Sequence, residues 1–331
     1  MQGVRRARRV RTTIADEAAA RPADLVKRDF TAAERAVGGR LHLRSDPRRV
    51  CLHASLDPAR HIAHLGASEL IEVDTATNHV VRVVDHLDGV HGLLVVPALH
   101  RVFASATDAN QVVTLDEDTG AVLGRAPTGD FPDGLAYQPG PARIWVTNET
   151  GGNETVLDTA TGKIVATVDV GGEAGNVAYD PGTRTSPAQV LVDVQAHNEV
   201  ALIDPSTFML TRRIPVPGCD HPHGLALDTA HRLGFIACDG IATVLTIDLD
   251  THTVGSPQPV GDNPDVVALD RSIGWLYVAG EGGEVSVLAE RGRALSAATT
   301  SPTEPTSSRS TLSPTAATFP FPAARAADRN C

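Results

Sequence analysis

The sequence predicts an all-β chain, a β-propeller built from four-stranded antiparallel blades. Two series of residues recur in step. An Asp is followed three residues later by a Thr at Asp74/Thr77, Asp116/Thr119, Asp158/Thr161, Asp204/Thr207 and Asp248/Thr251, with Asp spacings of 42, 42, 46 and 44 residues. A second series, His91-Gly92, Asp133-Gly134, Gly175-Asn176, His223-Gly224 and Asp265-Val266, is spaced 42, 42, 48 and 42. A period in the low forties, in copies rich in β-branched residues, is what one propeller blade requires. Apolar residues alternate with period two and are broken by Gly or Pro about every 8–12 residues, which excludes helices.

One copy shows each element. DGLAYQP (133–139) is a short alternating strand ended by Pro139, and RIWVTN (143–148) is a second strand rich in Ile, Val and Trp. Gly151-Gly152-Asn153 turns the chain into TVLD (155–158), and TATG (159–162) turns it again into KIVATV (163–168). Asp at the end of the third strand can accept backbone N–H bonds across the turn, with the Thr hydroxyl closing the other side. Asp-x-x-Thr is therefore expected to be a hairpin device rather than a catalytic signature. The fourth copy carries extra residues at TRTSPAQ (183–189), expected in a loop between its first and second strands.

Trp145-Val146-Thr147-Asn148, with weaker copies in LYVAGE (276–281) and RVFASA (101–106), resembles the repeat of the YVTN-repeat (YncE-like) β-propeller family. PDGLAY (132–137), GCDHPHGL (218–225) and NPDVVALD (263–270) resemble that family's inter-blade segments. The resemblance spans residues 50–295. It implies a seven-bladed, usually exported propeller whose members mostly lack an assigned activity. This chain departs from it in number, since blades begin near residue 50 and at 91, 133, 175, 223 and 265, six at most. Closure needs a strand paired into the last blade, and LHLR (41–44) is the candidate. An incomplete or frame-disrupted copy of a seven-bladed parent is the competing expectation.

The organisation expected is a basic arm over 1–47, a propeller over 48–295 and a Ser/Thr/Pro/Ala-rich tail over 296–331 without a core. Arg5, Arg6, Arg8, Arg9 and Arg11 open the chain, but no apolar stretch of signal-peptide length follows them. As written, the sequence reads as cytoplasmic, whereas the resemblance implies a periplasmic or extracellular protein. Net charge is −11 and aromatic residues make up 4% of the 331, so polyanions are repelled and a base-stacking platform is missing. Nucleic acid is thereby disfavoured as a partner. No run reaches the length of a membrane span, and a monomer binding a small molecule or a protein is expected. Cys219 and Cys238 fall on one face of one blade. A disulfide there fits an exported protein, and two thiols fit a cytosolic one.

Candidate binding groups gather where inner strands begin: His91, Asp133, Asn176, Asp262 and Asp265, on short loops over a rigid scaffold. The loops between second and third strands add His64, Asn148, Glu149, His197, Asn198, Asp239 and Glu281. The densest cluster is Cys219-Asp220-His221-Pro222-His223. In an extended segment, residues two apart share a side. Cys219, His221 and His223, with His91 in phase, could thus offer thiolate and imidazole to zinc or copper, or with an Asp to calcium. Against this, His-Gly and Asp-Gly can simply bond neighbouring backbone across a narrow channel. No nucleophile elbow and no phosphate-binding loop occurs. Two readings remain: a binding scaffold, which is favoured, and a metal-dependent hydrolase, lyase or oxidoreductase with its site at the channel mouth.

Overall fold

The computed structural model describes residues 41–42, 50–52, 59–75, 77–291 and 294–297, all within one compact unit, Ala36–Thr303. The expectations for the basic arm and the tail fall outside these residues, except at Leu41–His42 and residues 296–297. The architecture is all-β, six blades of four-stranded antiparallel sheets in a ring. Blade 1 uses Val50–Leu52, Ala59–His64, Glu69–Asp74 and His79–Val84. Blade 2 runs from Val90–Val96 to Val122–Pro127, and blade 3 from Pro132–Gln138 to Lys163–Asp169. Blade 4 runs from Ala174–Asp180 to Met209–Pro215, and blade 5 from Pro222–Asp228 to Gln258–Pro259. In blade 6, Pro264–Asp270, Trp275–Gly280 and Glu284–Arg291 take their outer strand from the other end of the chain. Leu41 pairs with Val285 and His42 with Glu284. Ala294–Ala297 covers the rest of that edge, pairing Arg291 back to Leu288. The ring of six is closed.

The second strands of blades 2 to 5 are buried on both faces because their alternate residues feed two different inter-blade cores. In RIWVTN, Ile144 and Val146 pack with Phe103 and Val112 of blade 2, whereas Trp145 packs with Val190 and Val192 of blade 4. Fourth strands face solvent and alternate instead, as Lys163–Asp169 does.

The Asp-x-x-Thr turns bond as expected in three blades. Thr77, Thr119 and Thr161 each donate both N–H and hydroxyl to the preceding Asp, at 2.7–2.9 Å. In blade 4, Ser206 makes both bonds to Asp204. In blade 5, Asp248 accepts the N–H of Thr251, whose hydroxyl turns to Thr253. The residue after each Thr is left-handed: Asn78, Gly120 and Gly162 suit that region, while Phe208 and His252 do not. Phe208 is held there by Trp145 of the preceding blade, 5.9 Å away between ring centroids, and by the Arg143 guanidinium 4.8 Å above its ring.

Polar clamps tie the blades on the face where these turns lie. Arg101 donates to the Thr159 carbonyl, Arg143 to that of Pro205, and Gln189 to that of Leu249. Arg232 of blade 5 grips the buried Asp180 of blade 4 through two guanidinium nitrogens, and Ser186 of the inserted loop and Arg232 both reach Asp250. Asp180 is fully buried, so removing its cation leaves a buried charge held only by the Gly182 N–H and the Gln189 amide. Arg232→Ala is expected to cost about 3–5 kcal/mol in urea unfolding. A double-mutant cycle with Asp180→Ala that shows no coupling would refute this account.

Glu154 is an oddity of blade 3. It occupies the second position of a third strand, where the other blades carry Val112, Val200, Val244, Val285 and Leu70. It is fully buried and its partner is the Thr147 hydroxyl, at 2.8 Å. Burial raises its carboxyl pKa to about 8, which the Thr147 bond only partly offsets. In the unfolded chain a Glu titrates near ~4.3, so between those limits the folded state binds the extra proton. The group's contribution to stability is therefore greatest below that lower limit and is lost as pH rises toward 8, over a span on the order of 5 kcal/mol. Glu154→Val with Thr147→Ala, which leaves no hydroxyl without an acceptor, is expected to gain at least about 2 kcal/mol at pH 8 and little at pH 4. Identical pH slopes in the two proteins would rule it out.

Candidate functional site at the channel mouth

Every inner strand of blades 2 to 6 shows a register shift just after its first residue. The ladder skips between Val90 and Leu93, Pro132 and Leu135, Ala174 and Val177, Pro222 and Leu225, and Pro264 and Val266. A bulge re-aims side chains out of the regular alternation. The bulged residues are His91-Gly92, Asp133-Gly134, Gly175-Asn176, His223-Gly224 and Asp265. The glycines answer a steric demand. A Cβ at Gly92 would stand 2.1 Å from the Asp133 carbonyl oxygen, and one at Gly224 would stand 2.1 Å from that of Asp265. Neighbouring inner strands thus approach closely enough for their first side chains to meet across blades.

They do meet. His223 of blade 5 places Nε2 2.9 Å from Asp265 Oδ1 of blade 6 and 3.5 Å from Asp133 Oδ2 of blade 3. Blades 3 and 5 are not neighbours, so this contact spans the channel. His91 Nδ1 of blade 2 lies 3.7 Å from Asp133 Oδ1, with the Phe131 ring edge-on at 6.0 Å. His91 and Asp133 are buried, and Asn176 is half-buried on the intervening blade. Burial is the strongest single influence on His223 and opposes its charge. Hydrogen bonds to Asp133 and Asp265, and their charges, together outweigh it and hold its pKa well above the ordinary value. His223 is thus held toward its charged form between Asp133 and Asp265.

Two further acids feel the charge of His223. Asp193, on the second strand of blade 4 (Gln189–Val194), is 0% exposed, and neither carboxylate oxygen has a hydrogen-bond partner among the described residues. Burial raises its pKa well above the carboxylate range, partly countered by the His223 charge. Glu149 follows the second strand of blade 3. Burial raises its pKa too, His223 lowers it and Asp133 raises it. Gln195 stands beside it, donating to the Ala174 carbonyl at 2.9 Å. Asp193 escaped the sequence reading. A signal was there: its phase-equivalents are Ser105, Thr147, Ala63, Ala237 and Ala279, so an Asp breaks a pattern of small residues. Ser105 shows what that position touches, since it receives the Gly92 N–H and donates to the Asp133 carbonyl of the next blade.

The expected metal set, His91, His221, His223 and Cys219, is not brought together. Cys219 is joined to Cys238 in a disulfide with a Cα separation of 5.3 Å, so its sulfur offers no thiolate. The two-apart rule fails at His221 because that residue is left-handed, φ 53°, and its imidazole pairs with Asp220 at 3.1 Å. Phe131 and Asn263, which also precede the proline that opens an inner strand, share the left-handed turn. Asp262 stays in the exposed loop before blade 6. Of the second-to-third-strand residues, Asn148 is buried and bonds Asn153 and Thr155, a structural task. His197 bonds the Gly171 carbonyl and Asn198 the His221 N–H. His64 pairs with Glu69.

No protein-family model matches the chain, and no curated protein sequence matches it. Solved structures do. The chain is similar to a functionally unknown protein from Desulfotomaculum acetoxidans, with 12% identity, a TM-score of 0.62 and coverage of 73% of this chain and 79% of that one. It is similar to a streptogramin B lyase, with 14% identity, a TM-score of 0.52 and coverage of 75% and 96%. The RRP9 WD40 repeats show 12% identity, a TM-score of 0.64 and coverage of 78% and 82%. At such identities the likeness is one of fold, and the fold these structures share with this chain is the β-propeller.

Proposed function

We propose that this chain is a binding propeller of the YVTN-repeat kind, exported to an oxidising compartment, whose channel mouth takes a small polar ligand carrying a cationic or donor-rich group. One observation carries the reading: Asp133, His223 and Asp265 converge from three blades on the inner-strand bulges. Acceptors outnumber donors there, so a ligand that brings donors or positive charge meets complementary groups. Asp133, Asp265, His91 and Asn176 would make the contacts.

An enzymatic reading rests on a different feature, the opposed titration of neighbours. An imidazole held toward its charged form, in the field of an acid that burial holds toward its neutral form, is an arrangement that lets one site both give and take a proton. A metal-dependent form of it would have to use His91, His223 and Asp133 without Cys219. The streptogramin B lyase shares the fold, which supports a propeller function of some kind and no particular reaction.

A thermal-shift panel on the full chain at pH 7, using putrescine, spermidine and the free amino acids in the presence of a metal chelator, tests the binding reading. A ligand at about 100 times its Kd adds about 2.7 kcal/mol, enough to move the midpoint by several degrees. Cationic compounds are expected to stabilise the wild type, and Asp133→Asn or Asp265→Asn to abolish the shift. Stabilisation confined to anionic compounds, or equal shifts in both variants, would overturn it. The compartment has its own test. Protein produced with export should yield a linked Cys219–Cys238 peptide under non-reducing digestion, and Cys219→Ser/Cys238→Ser should lose about 3 kcal/mol. Alkylation of both thiols in exported native protein would contradict this assignment.

A further inference from the structure

Asp228 ends the inner strand of blade 5, Pro222–Asp228, and His231 lies three residues on in the turn toward the second strand. Glu290 comes from the third strand of blade 6, Glu284–Arg291, whose outer edge carries the closing pairs. The trio therefore sits at the ends of these strands remote from the channel mouth. His231 Nδ1 is 2.9 Å from Asp228 Oδ2 and 3.3 Å from Glu290 Oε1, and the three ligand atoms lie within 4.8 Å of one another. Ligand atoms around a metal bound at about 2.0–2.2 Å stand roughly 3–3.5 Å apart, which these separations approach.

Glu290 is the telling member. Its side chain is 5% exposed, yet Oε1, directed at His231 and Asp228, makes no hydrogen bond among the described residues. A buried carboxylate so placed calls for a cation. Asp228 Oδ1 is already occupied by the N–H groups of Ala230 and His231, which leaves Oδ2 facing the trio. Arg271 lies 3.9 Å from Oδ1 and bonds the Leu227 carbonyl, away from Oδ2, so the cation these acids meet without a metal is a protonated His231, whose proton a metal ion would displace. The His231 side chain is 67% exposed, so one flank is open to water. One imidazole, two carboxylates and an open fourth position suit zinc, and the imidazole disfavours calcium and magnesium.

We propose that Asp228, His231 and Glu290 form a site for a divalent transition-metal ion, zinc by its donor set, that ties blade 5 to the closing blade of the ring. The site is independent of the channel mouth.

Chelator-treated full-length protein titrated with Zn²⁺ alone, by calorimetry and by thermal unfolding, tests the proposal. One ion per chain with a raised unfolding midpoint is expected, and Ca²⁺ should give neither. Glu290→Gln and His231→Asn should each weaken Zn²⁺ by at least roughly tenfold and remove the Zn²⁺-dependent shift. The metal-stripped Glu290→Gln protein should unfold close to wild type, because Oε1 of this buried acid makes no hydrogen bond among the described residues and the amide relieves its proximity to Asp228. His223→Gln, at the channel mouth, should bind Zn²⁺ as wild type does. Loss of binding in His223→Gln alone, undiminished binding in both Glu290→Gln and His231→Asn, or no binding by the wild type would each overturn the assignment.

Discussion

The ring depends on one backbone contact, the pairing of Leu41 and His42 with Val285 and Glu284 of blade 6. A blade cannot cover its own apolar faces. Its second strand sends alternate residues into two cores, each completed by a neighbour, as Ile144 and Trp145 show. Such a stack is satisfied only when it has no ends, and a closed ring is the geometry that removes them. Supplying the outer strand of the last blade from the start of the chain makes the first and last repeats mutually dependent. Six blades suffice because closure is set by the pairing and not by a fixed number.

Closure also makes the channel mouth. Once inner strands stand side by side, their first residues face a common centre, and the bulges with Gly92 and Gly224 bring carbonyls and side chains of adjacent blades into contact. His223 reaches Asp133 two blades away as well as Asp265 next door. Each of these residues occupies a repeat position, but the repeat does not dictate which amino acid stands there. A scaffold of equivalent positions filled with non-equivalent side chains is how a symmetric fold acquires a unique site.

The buried acids show where local rules yield to this arrangement. Asp193 and Glu154 replace small or aliphatic residues in strands whose other copies are conventional, and both are held toward the protonated form by burial. Asp193 feels the charge of His223, which gives it an electrostatic setting connected to the mouth. Glu154 has Thr147 alone. The two differ in consequence: one belongs to the site, and the other weighs on the stability of blade 3 as pH rises.

Periodicity was enough to determine the propeller class but not whether six blades close, because one blade is a local unit whose alternation, turn residues and length are written in about forty consecutive residues, whereas closure needs the pairing of Leu41–His42 with blade 6. The Asp-x-x-Thr turns, the inserted loop of blade 4, the strand boundaries in RIWVTN and the meeting of Cys219 with Cys238 all follow from short-range spacing. So does the ring of inner-strand starters that holds His91, Asp133 and Asp265. What tertiary structure alone decided are distances between blades and departures from extended backbone. The left-handed turn at His221 took it away from His223, and the disulfide removed Cys219 from the ligand set. The union of Asp228 and His231 with Glu290, some sixty residues apart in sequence, arose only because blade 6 folds back beside blade 5. Sequence spacing records the direction of a side chain within a strand, whereas proximity across blades is fixed by packing that no single repeat contains.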